Sequence, residues 1–395
     1  MKLSQRVQNL TPSQTIAITA KARELKAEGL DVIGLGAGEP DFNTPDEIIE
    51  KTYESLKKGE TKYTPASGIP ELKKAIIKKM ARDNNLDYSM DEIFVGNGAK
   101  HVLYNVFQAV LDEGDEVLVP TPYWVSYTEQ VKLAEGTPVL IETDESTSFK
   151  LTPELLDQHV NEKTRMLVLN SPNNPSGMVY TKEELKALAD YLEKTDIIVV
   201  ADEIYEVLVY DGEHISIASF SEKIKKQTVV INGVSKSHSM TGWRIGYACA
   251  DSALIKGMTG LASQSTSNPT TPAQWAAVAA YEMDKTFLDS YNETFRNRRD
   301  HAYDLLMTVP HVECIKPEGA FYLFPNFKTT AVKCGFQTVD KFVTALLEDK
   351  QVAVVPGSAF GLDDNIRISY SISEEMMTEA MTRIKNFVTE RIEGV

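Results

Sequence analysis

Cysteine is scarce: the 395 residues include three, Cys249, Cys314 and Cys334. Three scattered thiols cannot make a disulfide framework or a zinc ribbon, and so low a count suits a reducing compartment. The six histidines, at 101, 159, 214, 238, 301 and 311, never fall into H-E-x-x-H or paired Cys/His spacing, so no metal is expected. No run of about 18 apolar residues exists to span a membrane. The opening MKLSQRVQNLTPSQ lacks the apolar stretch of a signal peptide, so a cytoplasmic location is expected. Basic charge is in deficit, 41 Lys+Arg against 57 Asp+Glu, for a formal net charge of −16. That balance argues against nucleic acid and anionic membranes as partners. No internal repeat or low-complexity segment is present. The polar stretch SQSTSNPTTP at 263–272 is too short to link independent domains.

What remains is an ordinary globular composition, 42% hydrophobic and 25% charged, with length for two or three domains. Apolar residues recur at three- and four-residue steps over 71–82, 100–111 and 182–193, which predicts helices there. Between them lie short apolar or β-branched runs at 92–95, 116–119, 166–169, 197–200, 229–231 and 245–248. Such alternation, with runs buried on both faces, predicts an α/β domain with a mostly parallel sheet flanked by helices. The last third differs. A charged helix at 286–307, hairpin-like pieces (GAFYLF, VAVV, NIRISYSI) and a closing helix at 374–391 predict a smaller α+β unit. The helix at 16–28 and strand at 32–35 cannot form a core alone and are expected to pack on that unit. The division expected is therefore a large domain at 45–285 and a small one built from both chain ends, 1–44 and 286–395.

The glycine-rich stretches do not carry nucleotide signatures. GLGAGEP at 34–40 lacks the third glycine of G-x-G-x-x-G and puts Pro40 where a helix should open, so a turn is expected. GNGAK at 96–100 lacks the spacing and hydroxyl of a Walker A loop. It does follow a short strand and open a helix, so its backbone N–H groups could hold an anion; a flexible helix start is the plain alternative.

Three segments converge more informatively. In SKSHSMTGWRIGY at 235–247, Lys236 ends an apolar strand in a small-residue turn. It is either a solvated surface charge or, beside a cation that lowers its pKa, an amine able to form a Schiff base with an aldehyde. Arg244, between Trp243 and Ile245, is expected to be buried against an anion such as phosphate. In IIVVADEIY, Asp202 stands just past a buried strand with Tyr205 three residues on. It could cap the next helix or hold a proton on a heterocyclic nitrogen. NSPNNPSG at 170–177 offers amide side chains at another strand's end. In an open α/β sheet the ligand crevice lies outside those ends.

SKSHSMTGWRIGY, NSPNNPSG, ADEIYE, LGAGEPDF, TPYWVSY and NIRISY, in this order of kinds and nearly the full length of the chain, resemble the class I aminotransferases dependent on pyridoxal phosphate. The closest similarity is to the bacterial aspartate aminotransferases of subgroup Ib. The resemblance implies fold type I and pyridoxal 5'-phosphate as cofactor. Lys236 matches the family's lysine that carries the cofactor and moves the substrate proton, with Ser235 beside it among the cofactor-binding groups. Asp202 matches the partner of the ring nitrogen, and Tyr205 and Asn174 the groups on the ring oxygen. Arg244 with Gly98, Ala99 and Lys100 matches the phosphate site, and Trp124 the aromatic stacked on the ring. Tyr63 matches a tyrosine that reaches the neighbouring subunit's phosphate, which implies a homodimer with shared active sites. Arg367 matches the receptor of the α-carboxylate, and Gly38 a glycine lining the substrate pocket.

No counterpart is evident for the second arginine with which animal-type enzymes take the side-chain carboxylate. Subgroup Ib implicates Lys100, Ser13 and Thr15 instead. Aspartate and 2-oxoglutarate are the expected pair, with aromatic, alanine or prephenate-type specificity as alternatives. A carbon–sulfur lyase on the same fold and a ligand-sensing regulatory module are further alternatives; Trp124, MTGWRIG and the absence of a preceding DNA-binding region speak for the transferase.

Overall fold

The computed structural model describes residues 2–11, 14–284 and 286–394, the side chains of 14–16 excepted. Twelve strands are found among the described residues. They are β1 (Ile33–Gly34), β2 (Ile93–Gly96), β3 (Glu116–Pro120), β4 (Thr137–Ile141), β5 (Thr164–Asn170), β6 (Ile198–Asp202), β7 (Thr228–Gly233), β8 (Gly246–Cys249), β9 (Tyr322–Leu323), β10 (Val352–Ala353), β11 (Val355–Pro356) and β12 (Ile366–Ser369). Seven make one sheet in the order β2-β8-β7-β6-β5-β3-β4. Every neighbouring pair in it is parallel except the two made by β8.

Both faces of this sheet are apolar, and the two-residue period of a strand divides them. Val117, Val119, Met166, Val168 and Val200 pack with Val102, Val106 and Phe107 from the helix Ala99–Val110. Leu118, Leu167, Leu169 and Val199 face the other way, against Leu185, Leu188 and Leu192 of the helix Lys182–Leu192. That helix starts sharply because Thr181 and Glu184 form a reciprocal capping box. The mostly parallel sheet expected from the alternating pattern is thus present. β4, absent from the expected strands, is the edge strand: it opens on Thr137-Pro138 and leaves Leu140 42% exposed. A half-exposed edge needs no continuous apolar run, so it leaves a weak trace in sequence.

The chain's two ends meet away from this sheet. β1 pairs in parallel with β10, Ile33 opposite Val352, and β11-β12-β9 form a small antiparallel sheet. Phe295 and Ala302 of the helix Thr286–Leu306 and Met381, Ile384 and Phe387 of the helix Glu374–Glu393 share its core. No described helix is long and apolar enough to cross a membrane.

Candidate active site

β5, β6 and β7 run side by side in one direction and end on one rim, at Asn170, Asp202 and Gly233. Outside that rim lies a cavity of about 910 Å³. Parallel strands present the residues after their C-terminal ends to a common crevice. Here that places Asn174, Asp202, Tyr205, Ser235 and Lys236 on one wall.

Asp202 is buried, and Tyr127 donates to its Oδ2 at 2.7 Å while the Ile204 N–H meets Oδ1 at 3.3 Å. Burial lifts its pKa to about 6 against the pull of those hydrogen bonds. The tie to the neighbouring strand is Asn170, whose Nδ2 donates to the Asp202 carbonyl at 2.8 Å and whose Oδ1 accepts the Asn174 N–H at 2.9 Å. Beyond Asp202 the chain turns rather than opening a helix, so capping a following helix is not its role. The turn is two-faced. Asp202 and Tyr205 line the cavity, whereas Glu203 meets His214 Nε2 at 3.1 Å and Glu206 pairs with the buried Lys79. Asn84 completes this hidden network, accepting from Lys79 at 2.6 Å and donating to Glu206 at 3.0 Å. Glu203, Glu206 and His214 form the single group of metal-competent side chains among the described residues. Lys79 already supplies the cation there.

Lys236 projects from the turn after β7, its carbonyl held by the Tyr291 hydroxyl at 2.8 Å. The half-buried amine donates to the Gly38 carbonyl, with the rings of Tyr205 and Phe321 5.9 and 6.0 Å away. Burial lowers its pKa to about 8; Glu39 opposes the shift, and Arg367 and Arg244 add to it. Tyr205 and Tyr322 share a hydrogen bond of 2.8 Å between hydroxyls, and both line the cavity.

Arg367, on β12, is 2% exposed. Its Nη1 donates to Asn174 Oδ1 at 3.0 Å and its Nη2 to the Gly36 carbonyl at 2.8 Å. Tyr322 and Phe360 cover it, their ring centres 4.5 and 4.9 Å from the guanidinium carbon. Its Nε has no partner, and no carboxylate pairs with it among the described residues. A buried guanidinium lacking an anion is costly unless one is supplied from outside.

At the cavity's other end the helix Ala99–Val110 begins after Gly98, which has φ 84°. A Cβ there would strike the Arg244 guanidinium. Arg244 is exposed and not buried as expected: its neighbours Thr241, Gly242 and Trp243 form a short surface turn, and its backbone is left-handed at φ 58°. The guanidinium is held instead by the Thr241 and Asn97 carbonyls, at 2.7 and 3.3 Å. It therefore lies over the start of that helix, where the N–H groups of Ala99 and Lys100 come before the first intrahelical bonds, made by His101 and Val102 to the Gly98 carbonyl. Lys100 sits 4.8 Å above the Trp124 ring; partial burial, then Arg244, lower its pKa.

The cavity thus gathers Gly38, Ala99, Lys100, Trp124, Asn174, Asp202, Tyr205, Ser235, Lys236, Arg244 and Arg367 from across the chain. Tyr63 is not among them and is 91% exposed. Ser13 lies outside the described residues, as does the side chain of Thr15. Sequence reasoning missed Tyr127, Asn170 and Tyr322. The signal for Tyr127 was its place three residues after Trp124 in TPYWVSYTEQ, one helical turn on.

Residues 30–384 match the family described as aminotransferase class I and II. The chain belongs to the class I and II aminotransferases. It is 57% identical over 389 residues to an aspartate aminotransferase of Bacillus subtilis, covering 98% of this chain and 99% of that one. A probable aspartate/prephenate aminotransferase of Aquifex aeolicus is 48% identical over 391 residues, covering 98% and 99%. Among solved structures, the aspartate aminotransferase from Thermus thermophilus with maleate superposes with a TM-score of 0.93 at 42% identity, covering 98% and 100%. Aminotransferases of this family depend on pyridoxal phosphate, and the cavity's donor set fits that cofactor. An amine of lowered pKa stands near a buried acid, and a helix start crowned by Arg244 offers an anion cradle at the far end.

Proposed function

We propose that this aminotransferase moves the amino group of L-aspartate to 2-oxoglutarate, donor and acceptor using one pocket in turn. The observation that carries the reading is the buried, carboxylate-free Arg367 in the same cavity as the lowered-pKa amine of Lys236. Bound pyridoxal phosphate supplies a reactive carbonyl and a ring that withdraws electrons from the substrate.

The residues do the rest. Arg367 takes the substrate's α-carboxylate and fixes which bond at Cα faces the ring. Lys236 holds the cofactor and moves the proton at substrate Cα. Asp202 keeps a proton on the ring nitrogen, while Tyr205 and Asn174 hydrogen-bond the ring oxygen. Arg244 and the first-turn N–H groups of Ala99 and Lys100 hold the phosphate, and Trp124 covers the ring. Ser235 and Gly38 line the pocket beside Lys236. Tyr63, exposed and outside its own chain's cavity, is assigned to the phosphate site of a second copy, making the enzyme a homodimer; a monomer in sedimentation would contradict this. The same reading divides the chain into a large unit, 45–285, and a small one, 1–44 with 286–395.

The lysine's chemistry sets a pH dependence. Only the unprotonated amine attacks a carbonyl, and its pKa of about 8 lies below the ordinary 10.5. In cofactor-free protein, the rate at which pyridoxal phosphate attaches therefore rises with pH and levels off above about 8. A rate still climbing beyond pH 10, followed as growth of visible absorbance, would mean an unperturbed lysine.

For the side-chain carboxylate the described cavity residues offer Lys100, with Lys132 already paired to Glu129, and no arginine beyond Arg244 and Arg367. A lysine is a point charge, less selective than a fork. Lys100→Ala is expected to lower kcat/KM for aspartate on the order of tenfold while sparing alanine and phenylalanine. Equal losses across all three would remove Lys100 from specificity and with it the support for aspartate. A second reading, a wider substrate range reaching aromatic or prephenate-type acceptors, draws on the apolar lining by Leu133, Pro138 and Leu140.

A further inference from the structure

Asp202 is a buried acid on the cavity wall, and among the described residues a single side chain outside its own turn hydrogen-bonds its carboxylate. That side chain is Tyr127, fully buried, with its hydroxyl 2.7 Å from Oδ2. It is carried by the helix Ser126–Leu133, which is placed as a rigid ruler along the cavity. Trp124, just before the helix, meets Tyr127 edge-on with ring centres 5.4 Å apart. Gln130, three residues on, donates to the Lys100 carbonyl at 2.9 Å and so ties the helix to the start of Ala99–Val110. Residues at three-residue steps share one helical face. One face thus touches the ring cover, the acid and the phosphate helix in succession.

We propose that Tyr127 is a positioning residue that keeps Asp202 ionised and aimed at the cofactor's ring nitrogen. The inference rests on the cofactor assignment above and goes beyond it, because no role there falls to Tyr127. A carboxylate in a dry site takes up a proton unless something favours its charged form. Here the candidates are few. The groups that face Asp202 are Tyr127 from the neighbouring helix, Glu203 and Tyr205 from its own turn, and Lys236 from the turn after β7. Glu203 works against the anion, Tyr205 has its hydroxyl on Tyr322, and Lys236 is committed to the Gly38 carbonyl. The phenol of Tyr127 stays protonated at all working pH, since burial and Asp202 both push its own pKa well up. It is therefore a permanent donor. By lowering the basicity of Asp202 it leaves the shared proton on the ring nitrogen, where the ring's electron demand is greatest.

The test uses the holoenzyme and reads the visible band of the lysine-bound cofactor against pH. A proton held on the ring nitrogen makes the lysine–cofactor linkage more acidic. Tyr127→Phe removes the hydroxyl alone, so the band's midpoint is expected to shift upward and cofactor release to quicken on the order of tenfold. A kcat loss with KM for aspartate little changed should accompany it. An unchanged midpoint in a folded Phe variant overturns the proposal, whatever the activity. If that variant fails to fold, difluorotyrosine placed at 127 keeps the ring and strengthens the donor. Its midpoint is expected to move down, and no movement overturns the proposal equally. A wild-type protein with no visible band would instead refute the cofactor assignment itself, so the two failures are distinguishable.

Discussion

Lys236→Ala is expected to fold and to turn over about 10⁴-fold more slowly than the native enzyme, the upper end of what removing a positioned proton carrier costs. The fold survives because the substitution reaches little of the core. The Lys236 carbonyl keeps its bond to Tyr291, and what disappears is the amine's contact with Gly38 and its approach to two rings. Chemistry suffers because no other amine among the described cavity residues stands near Asp202. Lys100 lies over Trp124 on the phosphate side, and Lys132 is paired with Glu129 at 2.8 Å. Steady-state rates, together with thermal unfolding, check both halves. Native-like activity in the variant would remove Lys236 from the mechanism.

Arg367→Lys is expected to lower kcat/KM on the order of 10²-fold for every α-amino acid, dicarboxylic or not. The arginine spends Nη1 on Asn174 and Nη2 on Gly36 and keeps Nε unpaired. A lysine has one nitrogen for all of this and cannot meet a carboxylate as a planar fork. The loss also reaches Asn174, whose Oδ1 would lose its donor in a buried turn. Comparing aspartate, alanine and phenylalanine is the decisive measurement. If aspartate alone suffers, Arg367 belongs at the side-chain end of the pocket.

The groups legible in the sequence share a reason. Asp202 ends an apolar strand, and Asn174 and Lys236 come in the turns just after theirs, so their position at the sheet's rim comes with the strand pattern itself. The groups that were hidden also share one. Tyr127 meets Asp202 across 75 residues of chain and Tyr322 meets Tyr205 across 117. Their roles arise from tertiary approach: Tyr322 in its local setting does not differ from a core tyrosine, and Tyr127 is marked only by its place one turn after Trp124. For Arg244 it is the expected burial that is not found. Its apolar neighbours Trp243 and Ile245 do pack inward, but the left-handed backbone at Arg244 turns its own side chain out along the surface. Adjacent residues on a turn need not share a burial, whereas on a strand alternate ones do. β4 shows the same limit, since an edge strand needs only half the apolar pattern of a central one.

In the proposed reaction one pocket takes an amino group from aspartate and gives it to 2-oxoglutarate. The most direct measurement is the absorption spectrum of the purified holoenzyme on adding L-aspartate without any oxo acid. The visible band should bleach, and 2-oxoglutarate alone should then restore it. A band that persists through aspartate, yet responds to aromatic amino acids or is lost irreversibly with cysteine, would contradict the aspartate reading and point to another transaminase or to a lyase.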